Sequence, residues 1–176
     1  MNSVETIPNA VSLSEMDSNK GDVYIVNRAY CAYLSLNDST ALTDDRTVTA
    51  LSGDRSIVSD QDVFCWKYEP LQNGRCKLNN TGRSSRGTLY YQPDHSDYNG
   101  LLYGHDGPAN AFDGDRMIFT LEPAVCGKVF ALRTNDNRYV VAGGPATGLA
   151  GSGIHVVFST AIAPVDASYQ WYFATA

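Results

Sequence analysis

The chain has 176 residues, 43% of them apolar and 18% charged, and a formal net charge of −6. That size and apolar share suit one globular domain with a sizeable core. The acidic balance argues against nucleic acid or an anionic membrane as partner, because phosphate backbones are held by basic patches that release counterions.

In chain order, residues 1–20 stand apart from the rest of the chain. Met1-Asn2-Ser3-Val4-Glu5-Thr6-Ile7-Pro8 lacks the basic start and continuous apolar run of a secretory signal. No later segment reaches the roughly eighteen apolar residues of a membrane span. The expectation is a leaderless cytoplasmic protein without membrane insertion. Residues 1–20 are expected to form a loosely ordered N-terminal arm, with Val11, Leu13 and Met16 as residues able to dock on the barrel or on a partner chain.

From residue 21 onward the pattern is short strands in three similar blocks. The first has Val23-Tyr24-Ile25-Val26-Asn27, then Tyr33-Leu34-Ser35-Leu36, Thr47-Val48-Thr49-Ala50-Leu51, and a closing Phe64-Cys65-Trp66-Lys67-Tyr68-Glu69-Pro70. The second repeats this order with Arg75-Cys76-Lys77-Leu78-Asn79, Leu89-Tyr90-Tyr91, Leu101-Leu102-Tyr103 and Met117-Ile118-Phe119-Thr120-Leu121-Glu122-Pro123. The third has Val129-Phe130-Ala131-Leu132-Arg133, Tyr139-Val140-Val141-Ala142, Ile154-His155-Val156-Val157-Phe158 and Tyr169-Gln170-Trp171-Tyr172-Phe173. Trp66, Phe119 and Trp171 are 53 and 52 residues apart, and Val26, Leu78 and Leu132 are 52 and 54 apart. Such a period means one supersecondary unit used three times, none able to bury its apolar face alone. The repeats run about 21–73, 74–126 and 127–176, each with four strands, and the fold class is all-β.

Three four-strand blocks of this length resemble the β-trefoil, a six-stranded barrel capped by three hairpins. Within trefoils the chain is similar to ricin B-type lectins, especially small mushroom lectins that open with a strand like Gly21-Asp22-Val23-Tyr24-Ile25-Val26-Asn27. The resemblance implies a carbohydrate-binding protein with a role in fungal defence, and places Trp66, Phe119 and Trp171 in the core near a pseudo-threefold axis. Ricin B-type blocks end in Gln-x-Trp, whereas Phe64, Met117 and Tyr169 stand at the Gln positions here. The family's sugar-binding Asp would fall at Ser35, Gln92 and Ala142, and its stacking aromatic at Leu51, Tyr103 and Phe158. No Asp is present at any of the three, so the usual galactose site does not carry over.

The remaining motifs give little chemistry. Cys31, Cys65, Cys76 and Cys126 are irregularly spaced, and in a cytoplasmic chain they are expected as reduced, mostly buried thiols. No Cys-x-x-Cys or Cys/His cluster suggests zinc. Asp44-Asp45 and Asp113-Gly114-Asp115 lack the spaced oxygen ligands of a calcium loop. Gly143-Gly144-Pro145 and Gly148-Leu149-Ala150-Gly151-Ser152-Gly153 lack the Lys-Ser/Thr of a phosphate loop and read as turns between strands. His95, His105 and His155 fall at separate places with no nucleophile motif beside any of them. Neither metal, cofactor nor catalysis is expected.

What remains is binding. A sugar ring offers an apolar C–H face and a rim of hydroxyls, so its site needs an aromatic platform with polar groups beside it. The middle block concentrates such residues in Tyr91, Asp94, Tyr103, His105 and Asp106, with Tyr103 for stacking and Asp94, His105 and Asp106 for hydroxyls. The third block offers His155 and Phe158, with Asp166 nearby, and the first offers Asp38, Asp44 and Asp45 with no ring at Leu51. Glycans or glycoproteins are the expected partners, and homodimerisation would multiply weak sites into avidity. The rival reading is a trefoil protease inhibitor with Arg83 or Arg86 as bait for a trypsin-like pocket. A third is a trefoil used for protein interaction.

Overall fold

The computed structural model describes residues 9–18, 21–36, 46–52, 61–81, 87–91, 102–105, 114–145 and 153–176, with backbone only at 46, 47, 61, 102–105, 145 and 154. A short helix α1 (Leu13–Ser18) precedes the strands β1 (Val23–Asn27), β2 (Ala32–Leu36), β3 (Arg46–Leu51) and β4 (Trp66–Pro70). The second repeat supplies β5 (Arg75–Asn80), β6 (Thr88–Tyr91), β7 (Leu102–His105) and β8 (Phe119–Val125). The third supplies β9 (Val129–Thr134), β10 (Tyr139–Pro145), β11 (Ile154–Thr160) and β12 (Gln170–Thr175). Each lies where the block pattern predicts a strand.

Six strands close a ring of antiparallel pairs, β1 to β4, β4 to β5, β5 to β8, β8 to β9, β9 to β12 and β12 back to β1. The other six form the hairpins β2–β3, β6–β7 and β10–β11, joined to one another where β3 pairs with both β7 and β11. Closure leaves the barrel without a free edge. This is the barrel-and-cap architecture of a β-trefoil.

Period-two alternation builds the barrel interior, as in β5, where Cys76, Leu78 and Asn80 are buried and the residues between are not. Trp66, Phe119 and Trp171 are each 0% exposed and share one core cluster. Fully burying a large apolar side chain contributes about 1.5–3 kcal/mol. Both indoles also need a partner for their N–H, and both find it in the cap. Trp66 Nε1 donates to the Leu34 carbonyl at 3.0 Å, and Trp171 Nε1 to the Val140 carbonyl at 2.9 Å. The closing residue of these repeats therefore pins its own hairpin to the barrel.

A second repeated device leaves no mark in the hydrophobic pattern. Asn27 and Asn80, the last residues of β1 and β5, are buried. Asn27 Nδ2 donates to the Ser168 carbonyl at 2.7 Å, and Asn80 Nδ2 to the Val63 carbonyl at 2.8 Å. Val63 and Ser168 sit in the 3₁₀ turns Gln61–Phe64 and Ala167–Tyr169, just before the closing Trp of their repeats. Each Asn thus locks the end of one repeat to the start of the next. The third such position is Thr134, too short for that reach, which instead accepts from Arg138 N at 3.0 Å and orders the β9–β10 turn.

At the end of the barrel away from the hairpins, β4–β5 and β8–β9 turn through Asn73-Gly74 (φ 61° and 71°) and Cys126-Gly127 (φ 48° and 68°). Two consecutive positive φ values are what a type I′ hairpin turn requires. The arm docks against the C-terminal end of β12. Ala10 bridges Ala174, Val11 N donates to Phe173 O at 2.8 Å, and Met16 is 2% exposed within the main core cluster. Ser12 and Glu15 start α1 with a capping box, Ser12 N donating to Glu15 Oε2 at 2.6 Å and Glu15 N to Ser12 Oγ at 3.4 Å. The Ser12 N–H and the Ser12 hydroxyl, which also donates to Glu15 Oε2 at 2.8 Å, together with the Lys128 ammonium 3.9 Å away, hold the Glu15 carboxyl below its ordinary value.

Candidate functional site

Hairpin register decides which side chains share a place in the three repeats. Taking the Trp-bonded carbonyls as reference, Leu34 corresponds to Val140, and the next cross-strand pairs are Ser35 with Thr49 and Val141 with Phe158. In the middle hairpin, Tyr90 pairs with Tyr103 after the buried Leu89. Tyr103 and Phe158 therefore occupy equivalent positions, and their first-repeat counterpart is Thr49, two residues from the expected Leu51. Leu51 is buried at 4% exposure, and Ser35 bonds Thr49 Oγ1 at 3.1 Å.

The middle-block residues separate. Tyr91 is buried, its ring edge-on to Phe119 with centroids 6.3 Å apart. Burial raises its hydroxyl pKa, and the Asp136 carboxylate of the β9–β10 turn raises it further. Tyr91 is thereby a link between the second and third repeats. Tyr103 and His105 lie on β7, opposite Tyr90 and Thr88. Asp94 and Asp106 lie outside the described residues, as do Arg83 and Arg86.

The third block is described in most detail. His155 is 3% exposed, and both ring nitrogens are engaged: Nδ1 with the Gly143 carbonyl at 2.9 Å and Nε2 with Ser52 Oγ at 2.8 Å. A carbonyl only accepts, so Nδ1 carries a proton. In the neutral ring Nε2 then accepts from the Ser52 hydroxyl. Tyr30 lies across the imidazole with ring centroids 4.5 Å apart. His155 is thus a buried strut joining the first repeat to the third. Its neighbour Gly153 (φ 70°) cannot be replaced cheaply, because a Cβ there would come within 2.1 Å of the Ser52 carbonyl oxygen.

What His155 holds in place is a bulge. Between the pairs Ala142–Val157 and Pro145–His155 the register shifts, so that Gly143 and Gly144 face the single residue Val156. Such a bulge leaves local backbone groups outside the ladder and bends the strand. Phe158, half-buried, and Val156, 37% exposed, fall on the face opposite the buried His155 and Val157. A Cβ on Gly143 would lie 3.2 Å from Phe158 Cε1, so the missing side chain is what lets the ring lie beside the bulge. Arg138 stiffens the hairpin base, Nε donating to Ser159 Oγ at 3.0 Å and Nη2 to Ser159 O at 2.9 Å. The result is a half-buried aromatic ring flanked by bare glycine backbone on a rigid hairpin. The sequence points to Phe158 and gives no sign of Ser52, and Gly143-Gly144-Pro145, expected as a turn between strands, is instead the bulged end of β10.

No protein-family model matches the chain, and neither does any curated protein sequence. Solved structures do match. The designed threefold-symmetric protein ThreeFoil aligns at 16% identity over 89% of this chain and 99% of its own, with a TM-score of 0.64. A Culex salivary protein of the cysteine and tryptophan-rich family aligns at 15% identity over 90% of this chain and 95% of its own, with a TM-score of 0.65. A Polyporus squamosus lectin, solved with the epitope Neu5Acα2-6Galβ1-4GlcNAc, aligns at 16% identity over 89% of this chain, with a TM-score of 0.60. The chain spans 49% of that lectin, and 36% of Cry35Ab1, which matches at a TM-score of 0.64. Likeness at these identities is one of fold, and with the closed ring of six strands and three cap hairpins it makes this chain a β-trefoil.

Proposed function

We propose that the protein is a non-catalytic carbohydrate-binding trefoil, with a glycan site on the β10–β11 hairpin built around Phe158. The observation that carries this reading is the half-buried Phe158 ring beside the Gly143–Gly144 bulge. Stacking a sugar's C–H face on an aromatic ring, with nearby backbone N–H and C=O groups for hydroxyls, is the arrangement such ligands need. His155 acts here as a positioning residue: it holds the Gly143 carbonyl from below. Tyr103, at the equivalent register position on β7, is the proposed ring of a second site. Its polar complement would come from Asp94, His105 and Asp106.

The glycan-bound lectin among the structural matches supports the class of ligand. We assign the protein to a reducing compartment such as the cytoplasm. None of its four cysteines is in a disulfide, and against the expectation of mostly buried thiols only Cys76 is buried, Cys31 and Cys126 being exposed. Screening the purified chain on a glycan array tests the reading. Binding to a defined set of glycans is expected; a blank array at high protein concentration would remove it.

A further inference from the structure

The hydrogen bonds of His155 are arranged to suit two charge states. A buried imidazole that faces a fixed donor loses that bond when it takes up a second proton. Ser52 is not a fixed donor: its hydroxyl lies 2.8 Å from His155 Nε2 and 3.1 Å from the Gly153 carbonyl. With the ring neutral, the hydroxyl donates to Nε2. With the ring charged, Nε2–H donates to Ser52 Oγ, and the hydroxyl proton turns to Gly153. Nδ1 donates to the Gly143 carbonyl at 2.9 Å in both states. Ser52 N holds the Gly153 carbonyl in place at 2.8 Å, so rotation of one hydroxyl is enough to accommodate the charge.

The surroundings suit a cation without supplying a counter-ion. Tyr30, from the β1–β2 connection, is tilted 31° over the imidazole with centroids 4.5 Å apart, and an aromatic face at that range attracts positive charge. On the same connection Arg28 is turned to Gln170 Oε1 at 2.6 Å, and Cys31 is exposed. At the far end of the β10–β11 hairpin Arg138 is bonded to Ser159, and Tyr139 lies under Arg133. Among the described residues no carboxylate or cation is paired with the His155 ring.

Charging the ring acts on the bulge. A hydrogen bond from an ionised donor is roughly twice as strong as a neutral one. Its acceptor, the Gly143 carbonyl, belongs to the peptide whose N–H is on Gly144, inside the bulge beside Phe158. Drawing electron density toward that oxygen makes the Gly144 N–H a stronger donor, as in any chain of hydrogen bonds.

We propose that His155 and Ser52 form a proton-operated switch under the β10–β11 bulge, in which charging of the ring tightens the hold of the bulge on a glycan hydroxyl. The glycan output rests on the function proposed above; the switch itself rests on the hydrogen-bond geometry. The test follows the His155 ring and the Gly144 amide by NMR in the full chain and in Ser52→Ala between about pH 5 and 8, where histidine changes charge. Calorimetry with the best array glycan is run at both ends of that range. The ring is expected to titrate, the Gly144 amide to shift with the same midpoint, and glycan affinity to be about fivefold higher at the acid end. S52A removes the acceptor for the charged Nε2–H, so its midpoint should move to lower pH and its affinity gain should shrink. Because the Ser52 N–Gly153 O bond remains, S52A should melt close to wild type. A ring that does not titrate, a Gly144 amide that ignores the titration, a midpoint unmoved in S52A, or equal glycan affinity at both ends would each overturn the proposal. A blank glycan array removes the glycan reading and leaves the NMR titration to decide the switch.

Discussion

The indole of Trp66 and the carbonyl of Leu34 are joined by a 3.0 Å hydrogen bond inside the core, and Trp171 repeats it with Val140 at 2.9 Å. The closing aromatic of a repeat thus does two things: it fills the barrel and it satisfies a cap carbonyl. Phe119, in the second repeat, has no N–H and can do only the first. W66F is therefore expected to fold with a lower stability, by about 1–3 kcal/mol, because it leaves a buried acceptor without its donor. Chemical denaturation of W66F checks this, with W171F as the internal repeat of the experiment.

Asn27 and Asn80 should behave as a pair. Each is buried and reaches the carbonyl of a 3₁₀ turn across a repeat boundary. Asn27→Ala and Asn80→Ala are each expected to cost about 1–3 kcal/mol, with effects that add, since the two contacts share no partner. Denaturation of the single and double variants measures both points.

The docked arm should contribute to stability rather than hang from the domain. Met16→Ala removes a side chain that is 2% exposed in the main core, with an expected loss of about 2–5 kcal/mol. Thermal melting of M16A gives the answer directly. A melting temperature equal to wild type would mean that the arm is dispensable.

On the alkaline side, burial raises the Cys76 thiol from 9.0 to about 12, and burial with the neighbouring Cys31 and Tyr33 raises the Tyr172 phenol from 10.0 to about 12. The folded chain holds these protons more tightly than the unfolded one. The stability they contribute is therefore whole below pH 9 and is lost progressively as pH rises toward 12. Cys76→Ala should flatten the fall in melting temperature just above pH 9. In the native wild type, a thiol reagent should modify the exposed Cys31 and Cys126 readily and Cys76 only on unfolding.

The repeat is legible because Trp66, Phe119 and Trp171 are large, buried and evenly spaced, so periodicity alone carries it. Register is less so. Sequence spacing makes Leu51 the counterpart of Tyr103 and Phe158, but the cross-strand pairs give Thr49, because the segment joining β2 to β3 differs in length from its counterparts and a period of two does not reveal a two-residue slip. His155 is a sugar-contact candidate in the sequence for the same kind of reason: the partners that bury it, Ser52 and Gly143, lie 103 and 12 residues away. Tyr91 is a ligand candidate by composition, but its ring packs on Phe119. Residues 1–20 read as a loose arm in the sequence, but the Ser12-Leu13-Ser14-Glu15 capping box starts a helix there, and six residues are too few to show a helical stripe.

Glycan binding on the cap hairpins, with Phe158 as platform, is tested most directly by calorimetric titration of wild type and Phe158→Ala with the best array glycan, melting temperature being measured on both. Binding in wild type, and its loss in a Phe158→Ala variant that melts as wild type does, is the predicted result. Undiminished binding in that variant would contradict it.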